Sequence, residues 1–209
     1  MGSVTRQRRD ANRRSPAEEQ LVAALERLLK GGRVFTEISV QQILEEAGVS
    51  RATFYARFRD KSQLLIRLTD GLRARLLGLA QAWDPAAGED GAERYARFFS
   101  QVIAIHRENY AVLSAVRELA AYDAAVQDFY TADLEEFEKA VYQTLVDQQR
   151  SGDTVADLDA VAAGRIIVWG GAQAIAHHIG VDDGSGDAAF ARELGKIWWY
   201  GAYRRGDGG

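Results

Sequence analysis

The chain has 209 residues, 47% of them hydrophobic, which is enough to close a proper core and too apolar for wholesale disorder. It contains no cysteine, which excludes disulfides and thiolate-held zinc and fits a cytoplasmic protein. The formal net charge of −4 hides an asymmetry: residues 1–70 hold 13 Lys and Arg against 9 Asp and Glu, and the remainder 13 against 21. Because screening confines attraction to about 10 Å at ordinary salt, the basic amino end can face a polyanion while the acidic remainder is kept away from it.

Residues 1–15 are polar and arginine-rich (Arg6, Arg8, Arg9, Arg13, Arg14), without an apolar period or a secretory h-region, and read as a flexible basic arm. Ser15-Pro16-Ala17-Glu18 opens a helix with a capping serine, a proline at the first helical position and a glutamate placed to complete the box. Leu21, Ala24, Leu25, Leu28 and Leu29 stripe one face of it, and Gly31-Gly32 ends it. Ser39, with Gln42 three residues on, caps a second helix whose Val40, Ile43, Leu44 and Ala47 share a face. Gly48 supplies a sharp turn, Val49 plugs the corner, and Ser50 caps a third helix that buries Phe54 and Phe58. Arg51, Ala52, Thr53, Tyr55 and Arg57 then point outward. A small, donor-rich helix face held at a fixed angle by a short turn is a helix-turn-helix, the shape that fits a major groove.

The run Ala47-Gly48-Val49-Ser50-Arg51-Ala52-Thr53-Phe54-Tyr55, followed by Phe58 and Asp60-Lys61, resembles the signature of TetR-type bacterial transcriptional regulators. The match is dense over residues 18–66 and weak beyond. Arg57 stands where many members carry histidine and Arg59 where many carry proline, and both add positive charge beside the presumed DNA. Arg51 and Thr53 are expected at base edges, the arginine pairing bidentately with guanine. Thr36, Ser39, Tyr55, Arg57 and Lys61 are expected at phosphates, with Ser50 and Ala52 on the same face.

Asp60 and Gln63 start a long helix, Lys61 to about Ala82, whose amino end should lie near DNA and whose remainder links residues 16–60 to a second domain, 61–205. A loop follows over 84–91. Beyond it the pattern is helical throughout: Tyr95, Phe98, Phe99, Val102, Ile103 and His106 form one stripe, and Val126, Tyr130, Leu134, Phe137, Val141 and Leu145 another. Val161 to Ile175 is broadly apolar, residues 180–186 form a second loop, and Phe190, Leu194, Ile197, Trp198 and Gly201 stripe the last helix. The longest nearly uncharged stretch, Ile166 to Ala176, is too short for a bilayer. The expected fold is all-α with about nine helices: a three-helix helix-turn-helix domain joined by a long helix to a helical bundle.

The last two helices carry small residues (Ala163, Gly164, Gly170, Gly171, Ala172, Ala176, Gly195, Gly201, Ala202) flanked by Ile166, Ile167, Ile175, Ile197 and Trp199. The resemblance implies that this pair makes a four-helix interface with a second copy; packing within one chain is the alternative. It also implies an apolar effector among the central helices, for which Phe98, Phe99, Val102, Phe129, Phe137, Trp169, Gln173 and Trp198 are the candidates, with Gln173 or Asn109 as hydrogen-bond partners. Ordinary core packing is the plainer reading of each aromatic taken singly. No cofactor or metal is expected, since the adjacent His177 and His178 diverge by about 100°. No nucleophile elbow, phosphate loop or HExxH motif marks an enzyme. The function expected is a homodimeric repressor released from a palindromic operator by an apolar ligand. The alternative is a TetR-like DNA-binding protein with no effector.

Overall fold

The structure is a computed structural model that describes residues 15–81 and 91–205. The expected basic arm, the loop before residue 91 and the glycine-rich end of the chain lie outside the described residues, apart from Ser15, Gly91 and the residues up to 205. Nine helices are described, with no strand among the described residues: α1 (Pro16–Lys30), α2 (Val40–Ala47), α3 (Arg51–Tyr55), α4 (Lys61–Gln81), α5 (Gly91–Glu108), α6 (Tyr110–Ala120), α7 (Ala124–Ser151), α8 and α9. Helix α8 runs through Ala160–Arg165, a π turn at Ile166–Gly170, and Gly171–Val181; α9 runs through Asp187–Trp198 into a second π turn at Trp199–Tyr203.

The local signals act as their chemistry requires. Ser39 accepts from the Gln42 amide at 3.2 Å while the Gln42 side chain accepts from the Ser39 amide at 2.9 Å, so both halves of the capping box form. Gly48 sits at φ 66°, the left-handed conformation that ends α2 and turns the chain into α3. At α1 only half of the expected box forms: Ser15 accepts from the Glu18 amide at 3.3 Å, but the Glu18 carboxylate pairs with Arg67 of α4. Asp60 caps α4 through the Gln63 amide at 2.8 Å, and the Gln63 side chain reaches back to the Arg59 amide at 2.8 Å.

Two hydrophobic clusters organise the chain. The first joins Leu21, Leu25, Ile43, Phe54, Phe58, Leu64 and Leu65 and continues into Val112, Ala115 and Val116 of α6 and Val126 of α7. The helix-turn-helix unit is therefore packed directly on the second half of the chain, and not tied to it by α4 alone. The second cluster gathers α5, α7, α8 and α9 around Tyr95, Phe99, Ile103, Leu145, Ile175, Leu194, Trp199 and Tyr203.

The small residues of α8 and α9 divide between two roles. Gly195 lies against the α5 backbone, where an added Cβ would stand 2.8 Å from the Ala96 nitrogen and 2.9 Å from the Ala92 oxygen. Gly171 makes room for the Trp198 ring and Gly164 lies against α7, so these three serve packing within the chain. Trp199, expected to add area to a partner interface, is instead buried against Gly91 and Tyr203. Gly201 faces open space, and Ile166, Val181, Ile197 and Tyr200 are 68%, 71%, 57% and 62% exposed. No helix among the described residues is long and apolar enough to cross a membrane.

Candidate nucleic-acid interface and central cavity

Helix α3 is anchored from beneath and free on top. Phe54 is fully buried, with Phe58 at a ring distance of 5.8 Å and Tyr55 edge-on at 5.1 Å. Above this base Arg51, Ala52, Tyr55 and Arg57 are exposed and Thr53 half-exposed. The Ser50 hydroxyl accepts from the Thr53 amide at 3.1 Å and lies 2.8 Å from the Thr53 hydroxyl. The Arg51 guanidinium lies 5.6 Å from the centre of the Tyr55 ring. Neither Arg51 nor Arg57 forms an ion pair with a described residue, so both charges are available to an incoming polyanion. Thr36, Ser39 and Tyr55 border one shallow depression beside α3, next to Arg59.

Lys61 does not fit the phosphate role expected for it. Its ammonium donates to the carbonyls of Phe35 at 2.9 Å, Thr36 at 3.1 Å and Ile38 at 2.7 Å, and lies 4.8 Å from the Phe35 ring centre. All three of its donors are spent on pinning the segment before α2, and burial holds its basicity below the ordinary lysine range. The amino end of α4 is likewise occupied, by the Asp60 carboxylate, which Arg59 pairs at 2.9 Å. A phosphate would meet that carboxylate before it met the free amides.

A cavity of about 410 Å³ opens between α4, α5, α6, α7, α8 and α9, within the range that holds small ligands. Six of the eight expected ligand residues line it: Phe98, Phe99, Val102, Phe129, Phe137 and Trp198. Trp169 and Gln173 do not. Trp169 points outward into a surface groove with Glu135 and Tyr142, its indole nitrogen donating to Glu138 at 2.8 Å. Gln173 is exposed on the outer side of α8, because it falls on the same face as Ile166 and His177. Asn109 is also absent from the lining; its side chain donates to the Ile105 carbonyl at 2.8 Å.

The cavity is more polar than a few-charges reading expects. Arg73 of α4 pairs with Asp133 of α7, and Thr69, His106, Arg117 and Tyr130 are part of the same wall. The His106 ring donates through Nδ1 to the Val102 carbonyl at 2.8 Å, leaving Nε2 as the acceptor. Burial pushes His106 below the usual histidine range and the nearby Arg117 adds to this, so the ring is held neutral. Burial raises Asp133 above the usual carboxylate range, against the pull of Arg73. Sequence periodicity could place His106 on the right face, but α6 carries its polar Arg117 among Val112, Ala115 and Val116, and nothing local marks that arginine as inward.

His178, Asp182 and Asp187 bring one ligating atom each within 4.8 Å of one another. Asp182 stands four residues after His178, a carboxylate one helical turn away that the sequence itself shows and that the expectation of no metal leaves out of account. Arg107 takes the position a cation would fill, binding Asp187 at 2.6 Å and the Asp182 carbonyl at 2.8 Å, while His178 contacts Asp187 at 2.9 Å. Arg107 also holds the Asp187 carboxyl below its ordinary range. The cluster ties α5, α8 and α9 together.

An exposed, cation-bearing helix seated on a capped partner helix, on an all-α body with an inner cavity, is the arrangement of a helix-turn-helix protein. Residues 21–68 match bacterial regulatory proteins of the tetR family, and this segment is a TetR-type DNA-binding unit. The whole chain has the fold of solved regulators of that type. The fatty acid degradation regulator FadR from Bacillus halodurans superposes with a TM-score of 0.71 at 17% identity, over 93% of this chain and 100% of that one. GusR from Salmonella enterica gives 0.69 at 18% identity, over 88% and 94%. The regulatory protein TetR from Rhodobacter sphaeroides gives 0.62 at 22% identity, over 87% and 98%. Among curated proteins no sequence matches this chain significantly.

Proposed function

We propose that the protein is a homodimeric repressor that holds a palindromic operator through α3 and is released when a small molecule occupies the central cavity. The observation that carries the DNA-binding half is the absence of an ion-pair partner at Arg51, on an exposed helix, and at Arg57, in the turn that follows it, both held over buried Phe54 and Phe58. Arg51 and Thr53 read base edges, while Tyr55 and Arg57 hold phosphates; Thr36, whose hydroxyl donates to Glu118, Ser39, whose hydroxyl is engaged with Gln42, and Lys61 act from within.

One copy of α3 reads too few base pairs to select a site. Two copies related by a twofold axis read half-sites about 34–36 Å apart, or a multiple of that spacing. The exposed Ile166, Ile197 and Tyr200 on α8 and α9, with open space at Gly201, supply the apolar face for that pairing. Gln173 joins this face.

The cavity supports an effector over the alternative without one, since collapsed aromatics would leave no space of 410 Å³. Its walls include Thr69 and Arg73 of α4, the helix that begins at the DNA-binding unit, so a ligand there biases the separation of the two α3 helices. Sedimentation of the purified protein, followed by selection of duplexes from a random library at several salt concentrations, tests the reading. A dimer that enriches a palindrome with a steep salt slope is the expected result. A monomer indifferent to duplex sequence would overturn it.

A further inference from the structure

The charged side chains and the imidazole of the cavity are not scattered over its walls. Thr69 and Arg73 lie early on the cavity face of α4, His106 lies late on α5, Arg117 late on α6, and Tyr130 and Asp133 early on α7. These positions form the end of the cavity nearest the DNA-binding unit, because Glu118, the residue after Arg117, is bonded to Thr36. The opposite end carries no charge: Phe99, Val141, Ile167 and Trp198 line it, with the hydroxyls of Tyr95, Thr144 and Tyr203. From Asp133 to Thr144 the α7 wall spans 12 residues, roughly 16 Å of helix.

The charges at the polar end do not cancel. Arg73 is neutralised by Asp133. Arg117 has no carboxylate partner among the described residues: it donates to the Ser114 hydroxyl at 3.0 Å and lies 5.9 Å from the Tyr110 ring centre. His106 contributes no positive charge while neutral, and its Nε2 accepts. One guanidinium without a carboxylate partner therefore belongs to the wall of an otherwise balanced, largely apolar chamber, where a charge interacts more strongly than in bulk water.

Resting on the effector reading above, we infer that the cavity takes an amphiphilic carboxylate, its headgroup on Arg117 beside Tyr130 and its apolar tail running between Phe99 and Trp198. A carboxylate matches the guanidinium fork with two parallel hydrogen bonds, and the tail fills the length of the α7 wall. A cationic amphiphile would place a like charge beside Arg117, with Asp133 already committed to Arg73.

The test measures binding of dodecanoate, dodecanol and dodecyltrimethylammonium to the full chain by tryptophan fluorescence, with Arg117→Gln and Arg117→Lys variants alongside. The expected result is that dodecanoate binds about tenfold or more tighter than the other two. R117Q erases that preference and keeps dodecanol binding, which shows that its cavity is intact, while R117K retains most of the preference. Equal binding of dodecanoate and dodecanol, or a preference for the cation, overturns the carboxylate assignment while the effector cavity stands. No binding of any of the three, with the protein still folded and selecting its operator, overturns the effector reading and this inference with it.

Discussion

The Thr36 hydroxyl donates to the Glu118 carboxylate at 2.9 Å, joining residues 82 positions apart in the chain. Thr36 lies on the one-turn 3₁₀ segment Phe35–Glu37 whose carbonyls Lys61 holds, and Glu118 follows Arg117 of the cavity wall. The cavity thus reaches the DNA-binding unit by α6 as well as by α4. Glu118→Gln keeps the size and one acceptor but weakens the bond, and Thr36→Val removes it. Either change should leave effector affinity for the DNA-free protein nearly intact while reducing the coupling between effector and operator by roughly 0.5–2 kcal/mol. Operator titrations with and without saturating effector measure that coupling, and an unchanged ratio would remove α6 from the route.

Arg51 and Arg57 should separate cleanly. Arg51→Ala is expected to relax selection at one position per half-site, costing about 1–3 kcal/mol against the preferred base. Arg57→Ala should weaken all duplexes alike and reduce the salt slope by about one per subunit. A site library read at three salt concentrations distinguishes the two.

Lys61→Met keeps the aliphatic stem and deletes three hydrogen bonds to carbonyls. The expected outcome is a loss of stability of about 2–3 kcal/mol, centred on the DNA-binding unit, with the salt slope of any remaining operator binding unchanged. Denaturant unfolding together with hydrogen exchange over residues 35–47 is the measurement. A variant of native stability with a shallower slope would return Lys61 to the phosphates.

Gly195→Ala puts a Cβ 2.8 Å from a backbone nitrogen of α5, which a flexible side chain could avoid but a helix cannot. It should cost about 1–3 kcal/mol and loosen the α5–α9 pair. Gly201→Ala meets nothing within 4 Å, so the stability of a single chain should change by less than about 0.5 kcal/mol. If the outer face of α9 pairs with a second copy, G201A should raise the dimer dissociation constant instead, which sedimentation at low concentration reads.

His106 sets a pH dependence of stability. Burial, then Arg117, lowers its folded value below that of the unfolded chain, near 6.5. Between those two values the unfolded state binds more protons, so His106 contributes stability that is full above about pH 6.5 and is lost as pH falls toward the folded value. Asp133, raised by burial, acts with the opposite sign from a lower starting point. The comparison is therefore wild type against His106→Gln: the variant should lose less melting temperature between about pH 7 and pH 5. Parallel curves would place the titration elsewhere.

Much of this architecture is legible in the residues because its causes are local. Ser39 with Gln42, Gly48 and Ser50 fix the helix-turn-helix by contacts within a few positions, and Phe54 and Phe58 choose its buried side by periodicity. The same periodicity puts Phe98, Phe99, Val102, Phe129, Phe137 and Trp198 on inward faces. What sequence reading misses depends on phase or on distant partners. Lys61 looks like a free cation until the carbonyls of residues 35, 36 and 38 surround it. Trp169 and Gln173 look inward until the rotation of α8 is known, and Arg117 is assigned to the cavity only by the packing of α6 on α7.

The π turn in α8 decides that rotation. Ile167, Gly171, Ile175 and Ile179 are all buried, at uniform steps of four residues. An ideal α-helix would let such a series slip sideways by about 40° per step, and the wide turn at Ile166–Gly170 offsets the step from Ile167 to Gly171. Excising a single residue there would restore regular bonding and yet twist the downstream half by about 100°, carrying Ile175 and Ile179 toward solvent and Gln173 off the outer surface. The surplus residue acts as a gear tooth, keeping one rod meshed with the chamber on one side and with the outer face on the other.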